Sequence, residues 1–205
     1  MKIAAFALLA LLIVGHRAEG DNPPPPELNT ILALVNGEPI TSMDINLDPK
    51  YADDYAALTA AQLPADQFNF KVHDLHQLMV ARLIDRRLIV QEFRREGLSY
   101  TPADLDTRYA AYLKADLNGD EKKLRDALAY RGETMEEFRT WFEERTIVDW
   151  MTAQNVDKKI TATSDADKAA QRKGLLAAWL ASLRANADIH VTMGGPAEVP
   201  PPVEP

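Results

Sequence analysis

The sequence predicts a mainly α protein: a multi-helix core with a small β pairing formed by strands near its two ends. Three observations predict it. Phe68 to Gly97 carries Val72, Leu75, Met79, Leu83, Val90 and Phe93 at spacings of three, four and seven, the helical period. Helix-start signals recur at Thr101, Thr134 and Ser164, and Gly97 and Gly132 stand where helices stop. Short runs near both ends, Ile31–Val35 and Ala187–Val191, have the length and composition of half-buried strands.

Residues 1–20 have the form of a secretory signal peptide. Lys2 supplies a positive start, and the apolar run from Ile3 to Val14 is too short to cross a bilayer, which takes about 20 residues. Ala18 and Gly20 are small residues suited to processing, although His16, Arg17 and Glu19 crowd the site. The chain has no cysteine, so no disulfide and no lipid-bearing cysteine follow export. Residues 21–30 form a proline-rich spacer, because four consecutive prolines fix φ and remove four donors.

The core is expected over residues 31–192. Ile31–Val35 ends at Asn36-Gly37, a strong turn signal, and Glu38–Ile40 returns before a short helix capped by Thr41 and Asp44. Asp48–Asp66 is alanine-rich and helical in pattern, anchored by Tyr51, Tyr55 and Leu58 and broken by Pro64. The long helix follows. Leu78, Val80, Ile84, Leu88 and Ile89 widen its apolar surface past one stripe, so neighbours must cover it on more than one side. Thr101-Pro102 opens a helix carrying Leu105, Tyr109, Tyr112 and Leu113. After a loop at 116–120, another helix turns Leu124, Leu128 and Ala127 inward. Thr134 and Glu137 cap a helix bearing Phe138, Trp141, Phe142, Ile147, Val148 and Met151. Val156–Thr161 is expected as a polar, extended link. Ser164 and Asp167 start the last helix, with Leu175, Leu176, Trp179, Leu180 and Leu183. Residues 193–205 form a proline-rich tail expected to be disordered. There is no internal repeat.

Charge excludes one class of function. The net charge is −8, from 23 basic and 31 acidic residues, and a protein that grips nucleic acid needs a clustered basic face. Arg82, Arg86 and Arg87 share the long helix with Asp74, Asp85 and Glu92, as a solvated or ion-paired face does.

Metal and catalytic signals fail on inspection. His73 and His76 lie one helical turn apart, but no third ligand is evident, and surface or ion-paired histidines fit better. Asp116, Asn118 and Asp120 imitate a calcium loop, yet Glu121 stands where glycine is needed and Ala127 where a bidentate glutamate is needed. No triad, phosphate loop or paired carboxylates can be assembled. No catalytic residue, metal or cofactor is therefore assigned.

VNGEPITSMDI resembles the opening of the N-terminal module of SurA-type periplasmic chaperones and their foldase relatives. The resemblance continues through LIDRRLIVQEFRREGLSYTPADLD and LRDALAYRGETMEEFRTWFEERTIVDWM, where Thr134 to Arg139 matches the family's Thr-x-x-Glu-Phe-Arg helix. WLASLRANADIHV is similar to the family's last helix and closing strand. Together these cover roughly residues 31–192. Relatives usually carry one or two parvulin-type prolyl isomerase domains before the last helix; here only a short link stands there, so isomerase activity is not carried over.

The resemblance implies an ATP-independent periplasmic holdase. Its partners would be unfolded exported polypeptides, outer-membrane β-barrel precursors above all, with no nucleic acid and no stable membrane insertion. Such a surface suits Met and aromatic side chains, which adapt to many sequences. The candidates are Tyr51, Tyr55, Phe68, Phe70, Met79, Tyr109, Tyr112, Phe138, Trp141 and Met151, with Phe142 and Trp150 sharing the pattern. The stretch Tyr51–Phe70 is favoured, because its helical pattern is weaker and interrupted by proline. The alternative is an assembly protein that docks one dedicated partner or forms an interlocked homodimer.

Overall fold

The computed structural model describes residues 30–192. The expected leader, the spacer apart from Thr30, and the proline-rich tail lie outside the described residues. The elements run β1 (Ile31–Val35), β2 (Glu38–Thr41), α1 (Ser42–Asn46), α2 (Pro49–Ala60), α3 (Ala65–Arg95), α4 (Pro102–Leu117), α5 (Glu121–Arg131), α6 (Met135–Asn155), α7 (Asp165–Ala185) and β3 (Ile189–Val191).

The β hairpin forms where the turn chemistry demands it. Asn36 and Gly37 both take positive φ, 52° and 82°, as a two-residue primed turn requires. β1 is the central strand of an antiparallel sheet ordered β2-β1-β3, so the two ends of the core do pair, with β2 as a third member. The register slips between Ile31 and Ala33, and this irregularity lets consecutive residues Leu32 and Ala33 both be buried. Pro39 sits on the edge strand, where its missing N–H interrupts no ladder.

α3 is the structural axis. It packs against α1, α2, α6, α7 and the sheet. Its middle stretch meets Leu32, Val35, Ile40 and Ile45 through Leu75, Met79, Val80, Leu83, Ile84 and Leu88. Ile89, Val90 and Phe93 then join Ile147 and Met151 of α6, Val156 of the link after it, and Leu176 and Leu180 of α7. Each fully buried aliphatic side chain contributes about 1.5–3 kcal/mol, so this helix holds most of the core together. The helix ends as expected: Gly97 takes φ 71° and the Leu98 N–H donates to the Phe93 carbonyl at 3.2 Å, closing a Schellman motif.

α4, α5 and α6 form a third cluster of Leu113, Leu124, Leu128, Phe138, Trp141 and Phe142. Ala127 does not join it and is exposed. The capping boxes at Thr41, Thr101 and Thr134 are all present, with Asp44, Asp104 and Glu137 accepting from the cap backbone at 2.7, 3.1 and 2.7 Å.

One expectation is corrected. The link after α6 is not extended: Val156 is fully buried and Asp157–Lys159 form a 3₁₀ turn. A single valine in a polar stretch fills the gap between α6 and α7, and tertiary packing overrides the local pattern. Asp85, expected on a solvated or ion-paired face, is ion-paired. It is buried against α7, where Arg184 Nε donates to Oδ1 at 2.7 Å.

Candidate functional site

The first buried residue of α3 is Leu75, ten residues beyond its start at Ala65. At 1.5 Å per residue, about 15 Å of this helix reaches past the core. α2 leans along it, and its residues 50–60 are all half-buried or exposed. The two helices meet at Ala61–Pro64, where Gln62 takes φ 49° and Pro64 starts α3. The result is a helical corner supported on one side only.

Aromatic side chains line that corner. Tyr51 and Tyr55 ring centroids lie 5.8 Å apart, and Tyr55 meets Phe68 edge-to-face at 6.1 Å. Tyr51 also shares a hydrogen bond of 2.8 Å with His76 Nε2. Phe68 and Phe70 are two residues apart, about 200° around a helix, so when one faces α2 the other turns away. Phe70 is accordingly 62 % exposed, and Tyr55 is 40 % exposed. Phe70 borders a shallow depression of about 420 Å³ with Leu63, Asp66, Gln67 and Lys71.

An ion-pair belt fixes the base of the corner. Asp48 caps α2 by accepting from the Lys50 N–H at 3.0 Å, and its other oxygen accepts from Arg86 at 2.6 Å. Arg87 donates to Glu38 at 3.0 Å and lies 4.0 Å from Glu144. Arg86 and Arg87 are thus ion-paired to acids of the α2 cap, β2 and α6, whereas Arg95 pairs with Glu92 of its own helix. Burial raises the Glu144 carboxyl above its ordinary value, against the opposing charge of Arg87 and Arg86. At Glu38 burial pushes upward, but hydrogen bonds from Arg87 and Gln91 and the charges of Arg87 and Arg94 outweigh it, and the group lies below its ordinary value.

The two histidines are separately engaged. His73 is exposed and bonds Gln77 at 2.9 Å, whereas half-buried His76 faces Tyr51. His73 thus has the surface position expected of the pair, while His76 is drawn half inside by its contact with Tyr51. Burial lowers His76 below its ordinary value, with His73 adding in the same direction. Burial raises the Tyr51 hydroxyl, and Tyr55 adds to it. Among the described residues, no three His, Asp or Glu groups gather as metal ligands.

The ten candidates divide by position. Tyr51, Tyr55, Phe68 and Phe70 come together at the corner. Met79 and Met151 are wholly buried in the two clusters along α3. Phe138 and Trp141 are buried in the α4–α6 cluster, with Tyr109 and Tyr112 half-buried against Phe138 and Phe142. Leu63 and Lys71 also border the corner; the only trace of them in the sequence is their place beside Pro64 and Phe70. Ile31, 47 % exposed on β1, belongs to no such group.

No helix of the described residues is long and apolar enough to cross a membrane. Between α6 and α7 lie only residues 156–164, and no parvulin domain is evident in the chain. No curated protein is similar enough to count as a match. The model of the SurA-like N-terminal domain matches residues 1–152, from the start of the chain to near the end of α6. α7 and β3 lie beyond the match, yet they complete the same core through Arg184 and the pairing with β1. With three quarters of its length matched, the chain belongs to the SurA-like N-terminal domain family, a chaperone-type family whose domain is not catalytic.

Proposed function

We propose that this protein is an ATP-independent periplasmic holdase that binds unfolded exported polypeptides on the aromatic corner of α2 and α3. One observation carries it: Phe70, on the stretch of α3 that projects past the core, and Tyr55, on α2 beside it, both stand exposed. Exposed large apolar side chains cost solubility unless something uses them. Aromatic rings on a thinly supported helix pair present broad contact area and can adapt to many sequences.

Tyr51, Tyr55, Phe68 and Phe70 make the client contacts, and Lys71 and Asp66 give the rim its polarity. The clients are outer-membrane β-barrel precursors, whose strands carry alternate apolar residues and aromatic girdles that are unprotected before insertion. Residues 1–20 direct export, residues 21–30 are a spacer, residues 31–192 are the binding core and residues 193–205 a tail.

The test is suppression of aggregation. A urea-unfolded barrel precursor is diluted into the purified protein without nucleotide, and light scattering is followed. Protection at near-equimolar ratio is expected, and it should fall sharply in a Tyr55→Ser/Phe70→Ser variant that remains folded. Absence of protection by the folded parent protein would sink the proposal.

A further inference from the structure

A cavity of about 480 Å³ lies apart from the aromatic corner, among the start of α2, the middle of α3, α6 and α7. Its floor is apolar, built by Ile89, Val148, Leu176 and Leu180. Two residues of its lining each hold a buried donor with no partner: Arg82 Nε and Trp141 Nε1. Trp141 is only 8 % exposed, so its N–H is out of reach of bulk water. A buried donor without an acceptor is destabilising, and here two such donors belong to residues that line one cavity.

The acids nearby do not meet that need. Asp48 is taken by Arg86 and Asp85 by Arg184. Arg82 makes only a 3.9 Å contact to the Met79 sulfur, and Arg145 lies over the Trp141 ring at 5.4 Å. Asp53 and Asp149 are exposed at the cavity's mouth and are not ion-paired among the described residues. The cavity is therefore polarised, with cationic and indole side chains in its lining, an apolar floor and carboxylates at the entrance.

We propose that this cavity binds the C-terminal end of a polypeptide whose last residue is apolar. The terminal carboxylate accepts from Arg82 Nε and Trp141 Nε1 in charge-assisted hydrogen bonds. The last side chain lies on the floor, and the preceding amide N–H groups donate to Asp53 and Asp149. A fatty acid offers the carboxylate and apolar body but no donors for the two entrance acids. Arg145, exposed and stacked on the indole, is the side chain that swings aside to admit the ligand. This site does not depend on the aromatic corner, and its test does not involve aggregation.

The three tryptophans provide three indole N–H signals in a nitrogen-15 spectrum of the purified protein, and Trp141→Phe identifies the relevant one. The titrant is an N-acetylated tripeptide ending in leucine with a free carboxylate. A saturable shift of the Trp141 signal is expected at millimolar peptide, with the C-terminally amidated peptide at least tenfold weaker. Arg82→Met should also weaken the acid peptide about tenfold. Should that variant unfold, the comparison of acid and amide on the parent protein decides alone. An unmoved Trp141 signal overturns the proposal, and so does equal binding of the amide, which would indicate an internal backbone carbonyl. Decanoate binding more tightly than the peptide would overturn the assignment to a polypeptide end.

Discussion

Arg86 and Asp48 join the two helices that carry the exposed aromatics. Arg86 Nη2 donates to Asp48 Oδ2 at 2.6 Å, while Oδ1 of the same carboxylate caps α2 through the Lys50 N–H. One side chain thereby starts α2 and ties it to α3. Asp48→Ala removes both interactions and leaves a largely buried guanidinium alone. A loss of about 2–4 kcal/mol is expected, combining a lost cap with a broken, partly buried ion pair. Urea denaturation measures it, and hydrogen exchange should show α2 opening before the rest. A loss below the uncertainty of the urea midpoint would contradict this role.

Acidification should weaken the same corner. Burial holds His76 below its ordinary pKa of 6.5, so the folded state keeps the imidazole neutral where the unfolded chain takes up a proton. Stability is unaffected while both states are neutral and is lost as pH falls through 6.5 toward the depressed folded value. Urea midpoints measured from neutral pH down to about pH 5 should decline, and the decline should shrink in His76→Gln, which keeps a partner for Tyr51. An equal slope in the variant would assign the effect to other groups.

Exposure separates binding from folding. Phe70→Ser should change stability by no more than about 0.5 kcal/mol, because its ring is mostly in solvent. Met79→Ala should cost about 2–5 kcal/mol, since it opens a cavity where the side chain is fully buried. Client protection should drop in the first variant at unchanged thermal midpoint. In the second it should track the folded fraction only.

Asp85 and Arg184 hold α7 against α3 from positions 99 residues apart. Arg184 also donates to the Ala81 carbonyl at 3.3 Å. Arg184→Ala should cost about 3–5 kcal/mol by leaving a buried carboxylate without its partner. Asp85→Leu combined with Arg184→Met should recover most of that loss, because the pair's desolvation disappears with its attraction. A double-mutant cycle by urea denaturation measures the coupling. Additive losses would show that the two residues act separately.

The fold was largely legible because its signals are local. Asn36-Gly37 needs positive φ, Thr101 and Thr134 offer side-chain caps, and Val72 to Phe93 repeats at the helical period; each acts within a few residues. Val156 was misjudged for the opposite reason. Its burial depends on α7 arriving from elsewhere, and nothing beside it in sequence announces that neighbour.

The candidate surface was legible only as a set of residue types. By itself the sequence determined the elements, their order, the pairing of the end strands and the family. Tertiary structure alone decided that Met79 and Met151 are core while Phe70 is exposed, since a helical pattern marks an apolar face without saying where its covering neighbours stop. It also decided that Asp85 meets Arg184, and that Arg82 and Trp141 share one cavity wall. Burial and electrostatic partnership depend on distances between remote segments, and those distances exist only once the helices have packed.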